Sequence, residues 1–271
     1  MATLAEVTAA LEHLAPLRLA ADWDTVGLLI GSRRAAIDRV MTCLTLTEAV
    51  AREAAREGVD MVVSHHPLPF RPVARITDDS PTGRVLLDLL GSGIAVWSSH
   101  TAWDSAAGGI NDQLAELMQL SKVVPLEPDP IEPAVGVGSA GDAPAGVSVA
   151  DLARSLVAAL AAADRSVTLS GCQIAGDTAR PAGRVGIVCG SGGEMVAAVQ
   201  SAGCTTLVTG EIKLHDALAA MAAGVSVIAV GHHASERFSM GVLAARLAAR
   251  LPGLTSFASR TDIDPFTWIP A

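Results

Sequence analysis

Among 271 residues the chain has seven histidines, and two of them stand side by side in Ser64-His65-His66-Pro67, directly after the apolar run Met61-Val62-Val63. Neutral imidazole is the commonest protein ligand for a metal ion, and Pro67 stops the element that delivers the pair. Neighbouring side chains on an extended strand point to opposite faces, so a single ion would need a kink to take both rings. Two ions, one per imidazole, suit that geometry better. A second polar cluster follows the apolar segment 94–98 as Ser99-His100-Thr101-Ala102-Trp103-Asp104, ahead of Gly108-Gly109. A third follows 225–230 as Gly231-His232-His233-Ala234-Ser235-Glu236, where His232 and Glu236 share one face if the segment is helical.

Each cluster alone has a plain structural reading. A strand-end histidine can serve as a hydrogen-bonding cap, Asp104 can cap the next helix, and Glu236 can sit in the favourable field of a helix start. Position joins them, because ligands in open α/β sheets bind beyond the carboxyl ends of strands, and all three clusters lie there. His65, His66, Asp104, His232 and Glu236 therefore form a candidate set for two divalent ions. Three imidazoles and two carboxylates suit zinc, iron, manganese, cobalt or nickel and are too rich in nitrogen for calcium or magnesium. Ions sharing such a site lie about 3.5–4 Å apart, and Glu236 is the expected bridge.

Around this set, His100 and His215 are candidates for proton transfer, with orientation of a ligand as the alternative job for either. Glu211 is placed to orient His215 or a water, or to be an ordinary helix-start carboxylate. The loop Gly190-Ser191-Gly192-Gly193 could offer backbone amides to an anion. It lacks the lysine of a phosphate loop and does not fit G-x-G-x-x-G, so a tight turn is the simpler reading. Trp23 and its neighbours read as packing residues where two lobes meet.

The elements that position these residues alternate between β-branched runs and Ala/Leu-rich stretches. Strands are predicted over 40–46, 61–64, 94–98, 134–138, 185–189, 206–209 and 225–230, and helices over 48–57, 84–90, 110–118, 149–162, 195–201, 215–222 and 240–250. That alternation specifies an α/β fold with mixed or parallel sheets flanked by helices. Prolines 125, 128, 130 and 133 and the glycines up to 146 mark passage into a second lobe. The expected lobes are 1–125 plus 237–271, and 126–236. The segment 261–265 reads as a final edge strand, since Pro265 cannot donate to a ladder.

Composition narrows the function classes. At 50% hydrophobic residues the chain can bury a substantial core. A formal charge of −9 argues against a general nucleic-acid binder, and 3% aromatic residues with no tyrosine argue against a base-stacking platform. The cysteines at 43, 172, 189 and 204 show no C-x-x-C spacing and read as structural thiols. No basic segment leads into an apolar stretch at the N-terminus, and no apolar run reaches the roughly 18 residues of a membrane span. A cytoplasmic setting is the expectation.

At these residues the sequence resembles the Nif-three-like family of dinuclear-metal hexameric proteins, often labelled type 2 homologues of GTP cyclohydrolase I. The resemblance rests on Asp22-Trp23-Asp24-Thr25-Val26-Gly27-Leu28, Ser64-His65-His66-Pro67, His100-Thr101 with Asp104 and Gly108-Gly109, Thr209-Gly210-Glu211 with His215, and Gly231-His232 with Glu236. It implies a two-lobed α/β Nif-three-like fold, a toroidal homo-hexamer and two metals held by His65, His66, Asp104, His232 and Glu236. Relatives usually read Thr-Asn-Leu where this chain has Thr101-Ala102-Trp103, so substrate contacts near Trp103 are expected to differ.

The resulting expectation is a metal-dependent hydrolase in which activated water attacks an electrophilic carbon or phosphorus of a small molecule, in one version a nucleotide such as GTP. The alternatives are a phosphoester hydrolase and a non-catalytic metal-binding scaffold or metal-handling protein.

Overall fold

The computed structural model describes residues 2–167 and 169–267. The chain divides into two compact units, Met1–Trp103 with Ser239–Ile263, and Asp104–Phe238 with Asp264–Ala271.

In the first unit the strands β1 (Gly27–Ile30), β2 (Arg39–Cys43), β3 (Met61–Ser64), β4 (Ala95–Ser98) and β11 (Thr255–Ala258) form one sheet in the order β1-β4-β3-β2-β11. The four strands from β4 to β11 run parallel, and β1 closes the edge antiparallel to β4. All four residues of β3 and all four of β4 are buried. This is why they read as unbroken apolar runs instead of alternating ones. Met41, Val62 and Val96 pack with Val50 and Ala54 of α2 (Glu48–Arg56) and Leu86 and Leu89 of α3 (Pro81–Ser92).

Local chemistry sets the helix ends. Thr3 and Glu6 form a reciprocal capping box at α1 (Leu4–Leu14). At α3, Ser80 caps, Pro81 occupies the first turn and Gly93 ends the helix at φ +65°. α10 (Ser239–Arg250) belongs to this unit too.

The second unit holds a six-stranded sheet in the order β5-β6-β8-β9-β10-β7. Its strands are β5 (Ser121–Pro128), β6 (Gly136–Asp142), β7 (Gln173–Ala175), β8 (Arg184–Ser191), β9 (Thr206–Glu211) and β10 (Ser226–Ala229). β8, β9 and β10 are parallel, while β6 and β7 flank them antiparallel. Val188, Leu207 and Val227 pack with Val199 of α7 (Val196–Ser201) and Ala220 of α8 (Leu214–Ala222). The remaining helices are α5 (Ile110–Leu117), α6 (Val149–Ala163) and α9 (His232–Arg237), and α4 (His100–Ser105) carries the chain from the first unit into the second.

Three expectations need correction. The segment 261–265 forms no strand. The added strand of that region is β11, and Asp262 is instead buried, accepting from the amides of Leu44 at 2.6 Å and Thr45 at 3.3 Å. The proline-rich stretch from 125, read as passage into a second lobe, carries regular structure instead: Pro125 and Pro128 lie within β5, which tolerates them because it is the sheet edge. Trp23 is not buried packing, since 65% of its surface is exposed and its ring only meets Phe70 and His100 edge-on, at 6.3 and 6.0 Å between centroids.

Candidate metal centre

Parallel strands lie about 4.8 Å apart, so residues just past the ends of adjacent strands are necessarily neighbours. In the first unit β3 and β4 pair with Ser64 opposite Ser98, and His65, His66 and His100 follow directly. One ligand atom from each of these three histidines lies within 4.8 Å of the others. The His65 ring centroid is 5.2 Å from that of His66 and 5.3 Å from that of His100, and His66 and His100 are 5.7 Å apart.

The strand rule would have sent His65 and His66 to opposite faces. The chain bends at both residues after β3 ends, while their amides still donate to Cys43 and Leu44 carbonyls at 2.8 and 2.9 Å. That bend lets the two rings share one side.

The ring nitrogens have definite partners. His66 Nδ1 is 2.8 Å from the hydroxyl of Thr45, and His100 Nδ1 is 2.7 Å from Asp24 Oδ1. Asp24 also accepts from the amide and hydroxyl of Thr101 and from the amide of Thr25 at 2.7 Å. Burial raises the Asp24 pKa, but the bonds from His100 and Thr101 outweigh it and bring the carboxyl to about 2. His100 itself sits at φ +29°, a conformation uncommon for a non-glycine residue.

The second unit repeats the construction at the ends of β8, β9 and β10, where Gly190, Glu211 and Gly231-His232 come together. His232 Nε2 lies 3.2 Å from Glu236 Oε2, one turn along α9, and its Nδ1 lies 3.1 Å from Glu211 Oε1. The hydrogen bond to Glu236 is the main reason the His232 pKa rises to about 9. Burial opposes it, and Glu236's charge and the Glu211 bond and charge add to it.

Glu236 is 3% exposed. It has room because Gly190, at φ +62°, places no side chain there: a Cβ on Gly190 would collide with the Glu236 carboxylate. Gly210 is equally constrained, since a Cβ would meet the Gly190 carbonyl oxygen and the Ser235 hydroxyl, each at 2.6 Å.

Asp104 joins no such donor group among the described residues, but its carboxylate neighbours the Cys189 thiol. Burial pushes the Cys189 thiol pKa well up, and the charges of Asp104 and Glu236, with a hydrogen bond to Asp104, push it further. Asn111 fixes this corner by donating to the Asp104 carbonyl at 3.0 Å and accepting from the Cys189 amide at 2.9 Å.

Of the expected ligand set, His65 and His66 lie together in one unit and His232 and Glu236 in the other, where Asp104 neighbours Cys189. The donors fit a divalent first-row metal. They are imidazole nitrogens and carboxylate oxygens, two of the rings are braced by carboxylates, and a glycine clears space for the buried Glu236.

His215 is exposed on α8 and joins no such donor group among the described residues. Glu211 braces His232, whereas the sequence had paired it with His215 or a water. The glycine loop forms no anion cradle, because Gly193 packs against the Asp216 carboxylate and the Gly192 amide donates to the Glu211 carbonyl at 3.3 Å. Trp103 is fully buried, donates to the Ser239 hydroxyl at 2.9 Å and lies under Arg246, so it cannot touch a substrate. Asp24, Thr45 and Asn111 were not identified as functional from sequence. Only the first carried a signal there, its place in the Asp-Trp-Asp motif.

Comparison with known proteins shows the fold and the family. The chain is 28% identical over 260 residues to a Clostridium perfringens protein named GTP cyclohydrolase 1 type 2 homolog, covering 96% of this chain and 97% of that one. It is 31% identical over 268 residues to NIF3-like protein 1 of Drosophila melanogaster, covering 98% and 89%. In fold it superposes on a Bacillus cereus protein related to NIF3 with a TM-score of 0.88 at 20% identity, covering 98% of each chain. A Staphylococcus aureus protein, SA1388, follows at 0.87 and 24%, covering 98% of this chain and 99% of that one. A family model described as Duf34/NIF3 (NGG1p interacting factor 3) matches residues 2–265, and the chain belongs to that family.

Proposed function

We propose that His65, His66, Asp104, His232 and Glu236 hold two divalent metal ions, and that the protein is a metal-dependent hydrolase acting on a small molecule. The observation that carries this reading is the pairing of His232 with a buried Glu236 while its other nitrogen is committed to Glu211. Carboxylate-braced imidazoles beside a second carboxylate are characteristic of metal ligands.

Bound metal would supply Lewis acidity and a water that ionises near neutral pH. The chain's own contribution is to hold the donors rigidly at strand ends. Proton transfer would fall to His215 or His100. The names of the bacterial relatives favour a nucleotide such as GTP as substrate, with phosphoesters as the chemical rival. By resemblance to its family the protein would work as a homo-hexamer. Four free cysteines suit a reducing cytoplasmic setting, and among the described residues no helix is long and apolar enough to cross a membrane.

The test is metal analysis of the purified protein and of His66→Ala and Glu236→Ala, followed by turnover assays with GTP and generic phosphoesters in manganese, zinc and iron. Near two metals per chain in the wild type, loss in both variants and metal-dependent turnover are expected. Stoichiometry well below one per chain would overturn the metal reading. Tight binding without turnover of any substrate would leave a metal-handling protein.

A further inference from the structure

The chain holds four tryptophans, four phenylalanines and no tyrosine. Trp97, Trp103 and Phe238 are buried, as such residues ordinarily are. Trp23 and Phe70 depart from that pattern together: they are 65% and 42% exposed, and their ring centroids stand 6.3 Å apart at 65°. Trp23 also meets the His100 ring at 6.0 Å and 76°. Both contacts are steeply tilted, so neither neighbour is stacked on the indole, and most of its surface faces solvent. One exposed aromatic is unexceptional. Two that meet on the surface beside a histidine form an apolar patch of the kind that takes a ligand.

The patch is held in place. Trp23 lies between Ala21, whose amide donates to the Thr101 hydroxyl at 3.0 Å, and Asp24, which accepts from the Thr101 amide at 3.2 Å. The Asp24 amide donates back to the Ala21 carbonyl at 2.9 Å. The Thr25 hydroxyl donates to the Phe70 carbonyl at 3.2 Å, which ties the two aromatic segments to each other. A surface fixed before its ligand arrives loses little freedom on binding. Arg71 follows Phe70 directly and Arg75 lies on the same exposed segment. Guanidinium groups of this kind suit a ligand that carries phosphate.

We propose that Trp23 and Phe70 form a stacking subsite for the planar ring of a purine nucleotide, with Trp23 as the platform and Phe70 at its border. The proposal deepens the nucleotide reading above and rests on it, and it uses none of the candidate metal donors. Every base has a π-face, so stacking on an indole selects a ring and tolerates more than one base. The low aromatic content of the chain is consistent with this role. A single ring on a small molecule needs one platform, whereas a nucleic-acid strand needs several.

The test is titration calorimetry with GTP, ATP and ring-free tripolyphosphate on the full chain, both metal-loaded and chelator-treated. Wild type, Trp23→Leu, Trp23→Phe and Phe70→Leu are compared. Thermal midpoints check folding, light scattering gives the assembled mass, and metal uptake is measured on the same samples.

The wild type is expected to hold GTP and ATP more tightly than tripolyphosphate in both metal states. Trp23→Leu should lose on the order of 10–100-fold in affinity for both nucleotides and nothing for tripolyphosphate. Trp23→Phe keeps a π-face and should retain most of the affinity, and Phe70→Leu should lose less than Trp23→Leu. A wild type that holds the nucleotides no better than tripolyphosphate, or a folded Trp23→Leu with wild-type nucleotide affinity, would overturn the proposal. If that unchanged affinity comes with a lower assembled mass, the aromatic pair is a contact between chains instead. Absent ring binding with normal metal uptake sinks this proposal alone, whereas Trp23-dependent nucleotide binding without metal uptake sinks the metal reading alone.

Discussion

Gly190 shows how much of the site depends on an absent side chain. Its φ of +62° is a conformation that costs an L-residue about 1–2 kcal/mol, and the missing Cβ is what lets the Glu236 carboxylate lie against the backbone. Gly190→Ala is therefore expected to lower stability by about 1–2 kcal/mol in urea unfolding. It should also push Glu236 away from His232 and cut metal affinity on the order of tenfold. A variant that loses stability but binds metal normally would show that Glu236 is not a ligand. At this scale the candidate donors were legible in sequence because imidazole and carboxylate chemistry is written in residue identity. Their braces were not: Thr45 and Asn111 are ordinary polar residues until the fold places them 2.8 Å from His66 Nδ1 and within hydrogen-bond reach of the Asp104 carbonyl.

Among the elements, α2 carries a buried carboxylate with a purely architectural task. Glu53 accepts from the Ser259 hydroxyl at 2.5 Å, the amides of Arg260 and Thr261 at 2.9 and 3.2 Å, and the Thr261 hydroxyl at 2.8 Å. It thereby pins the segment that follows β11. Burial raises its pKa, but these bonds together hold it below the model-compound value of 4.5. A carboxyl with a depressed folded-state pKa contributes stability that is fully present above the unfolded value and is lost as pH falls through the folded one. Wild-type stability should thus fall as pH drops from about 5 toward 3. Glu53→Gln should be less stable by about 1.5–3 kcal/mol at pH 7 and show a flatter fall across that acid range. Equal slopes in denaturant titrations at pH 7, 5 and 3 would contradict this.

Central strands β3, β8 and β10 were visible in the sequence as apolar runs, because burial on both faces removes polar residues. The edge strands β1, β5 and β7 and the short β11 were not, since a strand with one free edge or an exposed face tolerates polar residues, prolines and glycines.

For the molecule as a whole, bound metal should act as a folding ligand. At about 100 times its dissociation constant a ligand that binds only the native state adds about 2.7 kcal/mol. For a chain of this size that corresponds to roughly 5–10 °C in the thermal midpoint. Dialysis against a chelator is expected to lower the midpoint by that amount, and adding back zinc or manganese should restore it. Light scattering on the same samples should give the mass of six chains for the metal-loaded protein. A midpoint indifferent to chelation would mean that the imidazole and carboxylate groups hold nothing in solution.

Residue chemistry, read along the chain, determined which side chains are donors and that they follow apolar strands, hence the α/β class and the candidate ligands. Both are local properties, carried by side-chain identity and by burial patterns a few residues long. Tertiary structure alone decided which strands are neighbours, and with that which donors meet. Sheet order brings His65 and His66 beside His100, sets Glu211 rather than His215 to brace His232, buries Trp103 and leaves Trp23 exposed. The reason is that pairing between strands far apart in sequence depends on the sum of many packing contacts, and no single segment carries that sum.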